Sequence, residues 1–592
     1  MDRQRAIVFV VVMLLTVGLL LLSAAEGYTD SLRELTPSLP SGQPVGTTIR
    51  WMATAMAGLS YQFSIARDGE DFLVVRDFSS ANSFLWTPID EGDYSVRVVT
   101  QQQSGTQAEA IAPFVVLSRV TGSGAVITAT EHPLVALYSA PPCTGHSIHV
   151  EFSPVNGLFW VHTSPKPCRA AQSMNFYVAG MQAASPYRMR HVIVNESSRT
   201  RSPTLLFTTG TPAVSFPSFP LLDPPDARSS WVERVILHTG PDETRPQISF
   251  PVATDLMGRV LWYYDKLLGW PKTLVYLTRP VAGGTMLLLI VCCSGPEHIL
   301  AEVDLAGHTV RQTTMSRINA QLVARGEQTI LGFSHEAVRF PNGQTLLLGF
   351  LEQPGDPPTM GDLVIALDAN LQVVWTWNAF DHLDPGRQAV LHEPCWLTYG
   401  PLCPASTPLA QDWLHSNSLA YSPQDGNLIV SLRHQDWVIK LDYQDGTGTG
   451  QVLWRLGREG DFTIVSTDAL PWFSHQHDAT YIDRNRIALY DNGNTRCFNH
   501  PQPCSSRGQV LELDEVNRVA ILRVNVDLGV YSPRRGSAQR LTNGNFQFGS
   551  GFVVPDLVSR STEVTPEGSV VYNLQADALE YRLIRMRSLY EP

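Results

Sequence analysis

His335-Glu-Ala-Val-Arg-Phe-Pro-Asn-Gly343, His415-Ser-Asn-Ser-Leu-Ala-Tyr-Ser-Pro-Gln-Asp-Gly426 and His477-Asp-Ala-Thr-Tyr-Ile-Asp-Arg-Asn485 share one pattern: a histidine, a short β run, then a polar turn. A fourth copy, Gly536-Ser-Ala-Gln-Arg-Leu-Thr-Asn-Gly544, has Ser537 near the histidine position. The starts lie 80, 62 and about 60 residues apart. A second half-repeat interleaves with the first, an aspartate closing a strand and then a tryptophan strand: Leu367-Asp368 to Trp375, and Leu441-Asp442 to Trp454. A four-stranded repeat of about 60 residues is a β-propeller blade. Residues 229–592 hold about six such lengths, so the repeat predicts a six-bladed β-propeller. Equivalent positions of successive blades meet around one channel. His335, His415 and His477, distant in sequence, should therefore converge at its mouth.

Outward from the repeat the chain stays all-β. Short alternating or β-branched runs, such as Tyr94-Ser-Val-Arg-Val-Val99, are punctuated by 43 glycines and 41 prolines, and no long stretch has helical periodicity. Residues 28–125 and 126–220 read as two β-sandwich domains of the Ig or fibronectin type. The Pro- and Ser-rich stretch 211–228 marks the main boundary. At the N-terminus, two arginines in Met1–Arg5 precede the apolar run Ala6–Leu22 and the small residues Ser23-Ala24-Ala25. Residues 1–25 read either as a signal peptide cleaved after Ala25 or as a membrane anchor. Both readings put the rest of the chain outside the cytoplasm, periplasmic or secreted. Six of the eight cysteines fall into close pairs, Cys143 with Cys168, Cys395 with Cys403 and Cys497 with Cys504, and these are the expected disulfides. Cys292 and Cys293, in an apolar run, read as buried thiols.

Composition excludes some chemistry. A net charge of −12 argues against nucleic acid as a partner. The lysines are Lys166, Lys266, Lys272 and Lys440, none after a glycine, which excludes a Walker A loop. Histidines at repeat positions could simply brace one blade against the next. Their shared register, in differing contexts, favours a site. Arg433 follows the strand Asn427–Leu432, and a guanidinium facing three imidazoles suits an oxyanion. His475-Gln-His477 on one strand face, with His335 and His415, could instead hold a metal, though Arg433 would repel it and no carboxylate occupies the matching position of another blade. Register selects His477 over His475: the polar turn follows His335 and His477 at the same interval. Trp413, Trp437, Trp472 and Phe473 lie beside these motifs and could form an aromatic rim or core.

Gln411-Asp-Trp-Leu-His-Ser-Asn-Ser418, Asp425-Gly-Asn-Leu-Ile-Val-Ser-Leu-Arg-His434, His475-Gln-His-Asp-Ala479 and Leu489-Tyr-Asp-Asn-Gly493 resemble the bacterial arylsulfate sulfotransferase family. So do Asn175-Phe-Tyr-Val-Ala-Gly-Met181 and Tyr187-Arg-Met-Arg-His191. The resemblance covers residues 130–592 and leaves residues 28–125 as an added domain. It implies a six-bladed propeller without cofactor or metal. The implied reaction moves a sulfuryl group from an aryl sulfate donor to a phenolic acceptor without a nucleotide sulfate. The implied nucleophile is His477, forming a sulfohistidine. His335, His415 and Arg433 are implied catalytic residues, with Asn417 and Ser537 binding substrate. One protonated histidine, His335 or His415, would pass a proton to the leaving phenolate and later take one from the acceptor. An arylsulfate hydrolase, a metal-dependent enzyme or a non-catalytic surface binder on the same scaffold are the rival readings. A membrane tether and a homodimer stay open.

Overall fold

The computed structural model describes residues 32–591 except 56, 241, 243–244, 246–248, 269–272, 293–296, 399–402, 404–408 and 500–503. The N-terminal segment 1–25 and the thiols of Cys292 and Cys293 lie outside the described residues. The described chain is all-β with a few short helices. It divides into two compact units, and the first ends at Leu117.

In the first unit Ile49–Ala55 alternates buried and exposed side chains, as a strand with one face on a core must. It pairs with Leu32–Pro37 and Ser83–Trp86. Ser60–Arg67, Leu73–Ser79, Gly92–Gln101 and Gln107–Leu117 form a second antiparallel set. Trp51 and Phe114, both fully buried, meet edge-on with ring centroids 5.6 Å apart.

The second unit begins with two small sheets. One is built on Ala136–Ala140 with Met174–Val178, the other on Ser147–Pro154 with Pro186–Val194. Sheets of four antiparallel strands then follow one another along the chain. Sheet A joins Val235–Thr239, Val252–Asp255 and Val260–Tyr263 to the C-terminal strand Arg582–Met586. Sheet B runs from Thr273–Val281 to Thr309–Thr314, and sheet C from Gly332–Arg339 to Val373–Asn378. Sheet D runs from Ser416–Ser422 to Val452–Gly457, sheet E from His477–Tyr481 to Val519–Asp527, and sheet F from Ser537–Arg540 to Val570–Ala576. The first strands of sheets B to F touch in sequence order, and that of F touches Arg582–Met586.

His477 opens its first strand, His415 directly precedes its own, and His335 is the fourth residue of Gly332–Arg339. There the pairing slips: at Phe333/Ala337, at Ser416/Ser418 and at His477/Thr480. A bulge adds an unpaired residue and re-aims the side chains around it. Glu336, Asn417 and Asp478 lie in these slips and are buried, which strict alternation does not anticipate. The helix Met315–Ala324 was also not anticipated. Thr314 caps it, accepting from Arg317 N–H at 3.2 Å, and Met315, Ile318 and Leu322 face the core. Met286 to Val291 are buried in strand Thr285–Cys292, as their apolar run predicts.

Trp413 and Trp437 pack in the core of sheets C and D, and Phe473 in that of D and E, with Trp472 against it. They are core, not an aromatic rim. Disulfides join Cys143–Cys168, Cys395–Cys403 and Cys497–Cys504, with Cα atoms 5.2, 5.6 and 5.4 Å apart. Non-reducing peptide mapping should recover each pair linked; free thiols at all six positions would contradict these bridges.

Candidate active site

Three buried imidazoles converge. The ring centroids of His335 and His415 are 4.4 Å apart, and His477 lies near enough to both to influence their charge. The tautomer of His477 is dictated by its neighbour. The Asn492 side-chain amide donates to Ser532 O at 2.7 Å and Arg535 O at 3.0 Å, so its Oδ1 must face the ring. His477 Nδ1–H therefore donates to that oxygen at 2.7 Å, and Nε2 keeps its lone pair. The backbone N–H of Arg535 approaches this lone pair at 3.3 Å.

Burial, reinforced by the Arg433 charge, holds His477 well below the usual imidazole range. Burial, with His415 and His477 nearby, does the same to His335. Burial lowers His415 to about 4, although Asp412 pulls the other way. Burial thus favours the uncharged form of all three before substrate arrives. His415 Nδ1–H donates to Asp412 Oδ2 at 2.5 Å, an arrangement that supports a positive ring once an anion enters.

His475 is a different kind of histidine. It precedes the strand instead of sharing a face with His477. Its Nδ1 meets Asp436 Oδ1 at 2.9 Å and its Nε2 meets Glu393 Oε2 at 3.0 Å. Burial alone would lower it, but the two carboxylates outweigh burial and raise it. Two flanking carboxylates favour its charged form, which has no lone pair with which to attack sulfur. The register choice of His477 and this electrostatic contrast agree.

Arg433 follows strand Asn427–Leu432 at a short 3-10 turn, as expected. Its Nη1 donates to Glu393 Oε2 at 3.0 Å and contacts His434 Nε2, and its Nη2 donates to Pro533 O at 3.3 Å. Its buried Nε–H has no hydrogen-bond partner among the described residues. Asn417 donates to Gln476 O at 2.7 Å, bracing the residue before His477. Ser537 Oγ donates to Leu583 O at 2.9 Å and accepts from Leu583 N–H at 3.2 Å. Its hydroxyl is tied to the neighbouring strand.

Glu393, His434 and His475 bring ligand-type atoms within 4.8 Å of one another, so carboxylates do stand beside these histidines. The Arg433 guanidinium already bonds the shared Glu393 oxygen, and a metal ion there would face that fixed charge. Glu336 and Asp478, each next to a repeat histidine, turn instead to Arg279 and Arg582, with Glu336 Oε2 2.6 Å from Arg279 and 2.7 Å from Arg582. Asp478 Oδ1 lies 3.2 Å from Arg279. The aromatic rings beside His335 are Tyr276 at 5.3 Å and Tyr581 at 5.5 Å. Backbone strain concentrates here: His415, Asp436, His475, Asp478 and Arg535 all have φ between 51 and 64°. Such non-glycine conformations cost about 1–3 kcal/mol each and mark sites where geometry is held for use.

The arylsulfotransferase family model matches residues 219–582, more than half of the chain. The chain belongs to the arylsulfotransferase family. An arylsulfate sulfotransferase of Escherichia coli O6:H1 is 30% identical over 135 residues, 18% of this chain and 22% of its own. The chain thus spans about a fifth of the length of that curated relative. A quinoprotein alcohol dehydrogenase-like protein of Bacteroides thetaiotaomicron is 9% identical over 94% of this chain and 100% of its own, with a TM-score of 0.20. A two-domain fibronectin type III segment of chicken tenascin is 15% identical over 30% of this chain and 100% of its own, with a TM-score of 0.15. Scores this low bear on neither fold nor function. Within the region that the family model matches, Asp412 and Asn492 lie inside quoted motifs, yet only the fold gave them partners. Glu393, Tyr276, Tyr581 and Arg535 lie at positions no repeat signal marks.

Proposed function

We propose that this arylsulfotransferase transfers a sulfuryl group from an aryl sulfate to a phenol, outside the cytoplasm, on a six-bladed β-propeller behind two sandwich domains. The successive four-stranded sheets and their touching first strands support the propeller reading, and the three disulfides support an oxidising compartment. Among the described residues no helix is long and apolar enough to cross a membrane.

The single observation that carries the mechanism is the Asn492-oriented His477, a buried imidazole held below its usual pKa, whose Nε2 keeps its lone pair and accepts from the Arg535 N–H at 3.3 Å. Nε2 attacks sulfur, the S–O bond to the aryl group breaks, and its electron pair leaves on the phenolate. As the anionic donor binds, His415 takes up a proton from solvent, steadied by Asp412. His415 gives that proton to the phenolate and takes one back from the acceptor, whose oxygen then attacks sulfur and frees His477. Arg433 Nε–H and the Arg535 N–H donate to sulfuryl oxygens as charge builds on them. Asn417 holds the nucleophile's strand, and Tyr276 and Tyr581 offer ring faces to aryl groups.

A chromogenic aryl sulfate given to the purified full chain, with and without added phenol, tests this. Turnover that rises with phenol supports transfer. Acceptor-independent turnover would instead make the Asp412–His415 pair a base for water, and absence of turnover would leave a binder.

A depressed nucleophile pKa has a direct kinetic consequence. His477 is active when unprotonated, and its folded pKa lies well below 6.5. With an activated aryl sulfate, whose leaving group needs no proton, kcat/KM should stay flat from pH 7.5 down to pH 5.5. A histidine of ordinary pKa would lose about tenfold over that range. Such a loss would mean His477 is not held neutral.

A further inference from the structure

A cavity of about 620 Å³ lies away from the histidine cluster and shares no lining residue with it. Phe152 of strand Ser147–Pro154, Leu261 of sheet A and Leu589 near the C-terminus wall it. Its size and apolar walls are those of a small-molecule site, which spans roughly 300–1,000 Å³. Four of its lining residues are large apolar side chains left open to solvent: Leu158 at 88% exposure, Phe159 at 74%, Trp231 at 56% and Met257 at 47%. Exposed apolar side chains gathered at one mouth mark a surface that something covers.

Charge identifies the kind of occupant. The chain as a whole carries −12, yet this cavity is lined by Arg234, Arg259 and Arg587 against one carboxylate, Asp255. Arg259 takes that carboxylate at 2.7 Å. Arg587 lies only loosely beside Glu591, at 4.0 Å. The Arg234 guanidinium has no hydrogen bond or ion pair among the described residues, and the residue is exposed. The lining therefore pairs an apolar chamber with the unpaired Arg234 guanidinium and with Arg587, which is held only at long range by Glu591 and by Thr542 Oγ1 at 3.5 Å; such groups suit an oxyanion head.

We propose that this cavity binds an amphipathic anion: an apolar body, alkyl or aryl, with a single carboxylate or sulfate head. The body enters between Phe152, Leu261 and Leu589, and the head rests against Arg234 and Arg587. This site is independent of sulfuryl transfer at His477.

Calorimetric titration of the full chain with decanoate and octyl sulfate, below their micelle concentrations, tests it against decyltrimethylammonium. One saturable site is expected, with both anions bound at least tenfold more tightly than the cation. Arg234→Glu and Phe159→Asp change exposed side chains and should each weaken decanoate at least tenfold, while aryl sulfate turnover stays at the wild-type rate. No saturable binding, or equal binding of the cationic amphiphile, overturns the proposal. So does binding to anionic vesicles without binding of monomeric decanoate, which would make this face a membrane contact. Loss of turnover in all proteins with decanoate binding intact would sink the sulfuryl-transfer reading and leave this one standing.

Discussion

His477→Ala should abolish phenol release in a single turnover with donor alone, a loss of roughly 10⁴-fold or more. Its Nε2 carries the lone pair that the neutral Asn492 amide orients, whereas His415 is held through Nδ1 by the Asp412 carboxylate. Intact-mass measurement after donor alone should show the wild-type protein gaining one acid-labile sulfuryl group and the variant none. His335→Ala and His415→Ala should keep part of the activity, since water can replace a proton carrier. An adduct on His475 would reverse the assignment. It would require a ring flanked by Asp436 and Glu393 to give up its proton. Transfer without any adduct would replace the covalent route by direct displacement between two bound phenols.

Arg433→Lys should cost roughly 3 kcal/mol of transition-state stabilisation, about a hundredfold in kcat/KM, although the charge is kept. A lysine ammonium cannot bond Glu393 and Pro533 and still present a directed N–H to the sulfuryl oxygens. Near-normal kcat/KM would remove Arg433 from the reaction. Glu393→Gln is the companion test. Glu393 is held well below the usual carboxylate range: burial opposes this, but Arg433, His434 and His475 outweigh it. Without its charge, Arg433 loses its anchor and His475 loses one of two carboxylates. A fall in kcat/KM of about tenfold is expected, corresponding to about 1.4 kcal/mol. An unchanged kcat/KM would mean the guanidinium is held without it.

Repetition is what made the site visible in the sequence. A histidine at the start of successive β repeats places three imidazoles on equivalent first strands whatever the details of packing. Local spacing likewise pointed to the disulfides, since closing a short loop costs less chain entropy than closing a long one, and the bridged partners lie 25, 8 and 7 residues apart. Ser537 shows where this kind of reading ends. It occupies the repeat position, yet its hydroxyl is consumed by Leu583, and the group that meets His477 is the Arg535 backbone two residues earlier.

The sequence by itself thus determined the strand-rich repeat and the meeting of His335, His415 and His477, because periodicity is a property of the chain alone. Only the tertiary structure decided their chemistry. Whether an imidazole is neutral depends on which carboxylates reach it: Glu393 comes to His475 from a residue 82 positions away, whereas among the described residues no carboxylate hydrogen-bonds His477. Bulges, which period-two alternation does not foresee, turned Glu336 and Asp478 toward Arg279 and Arg582 instead of toward the histidines. Charge state and direction are set by long-range neighbours, and those exist only once the sheets have packed.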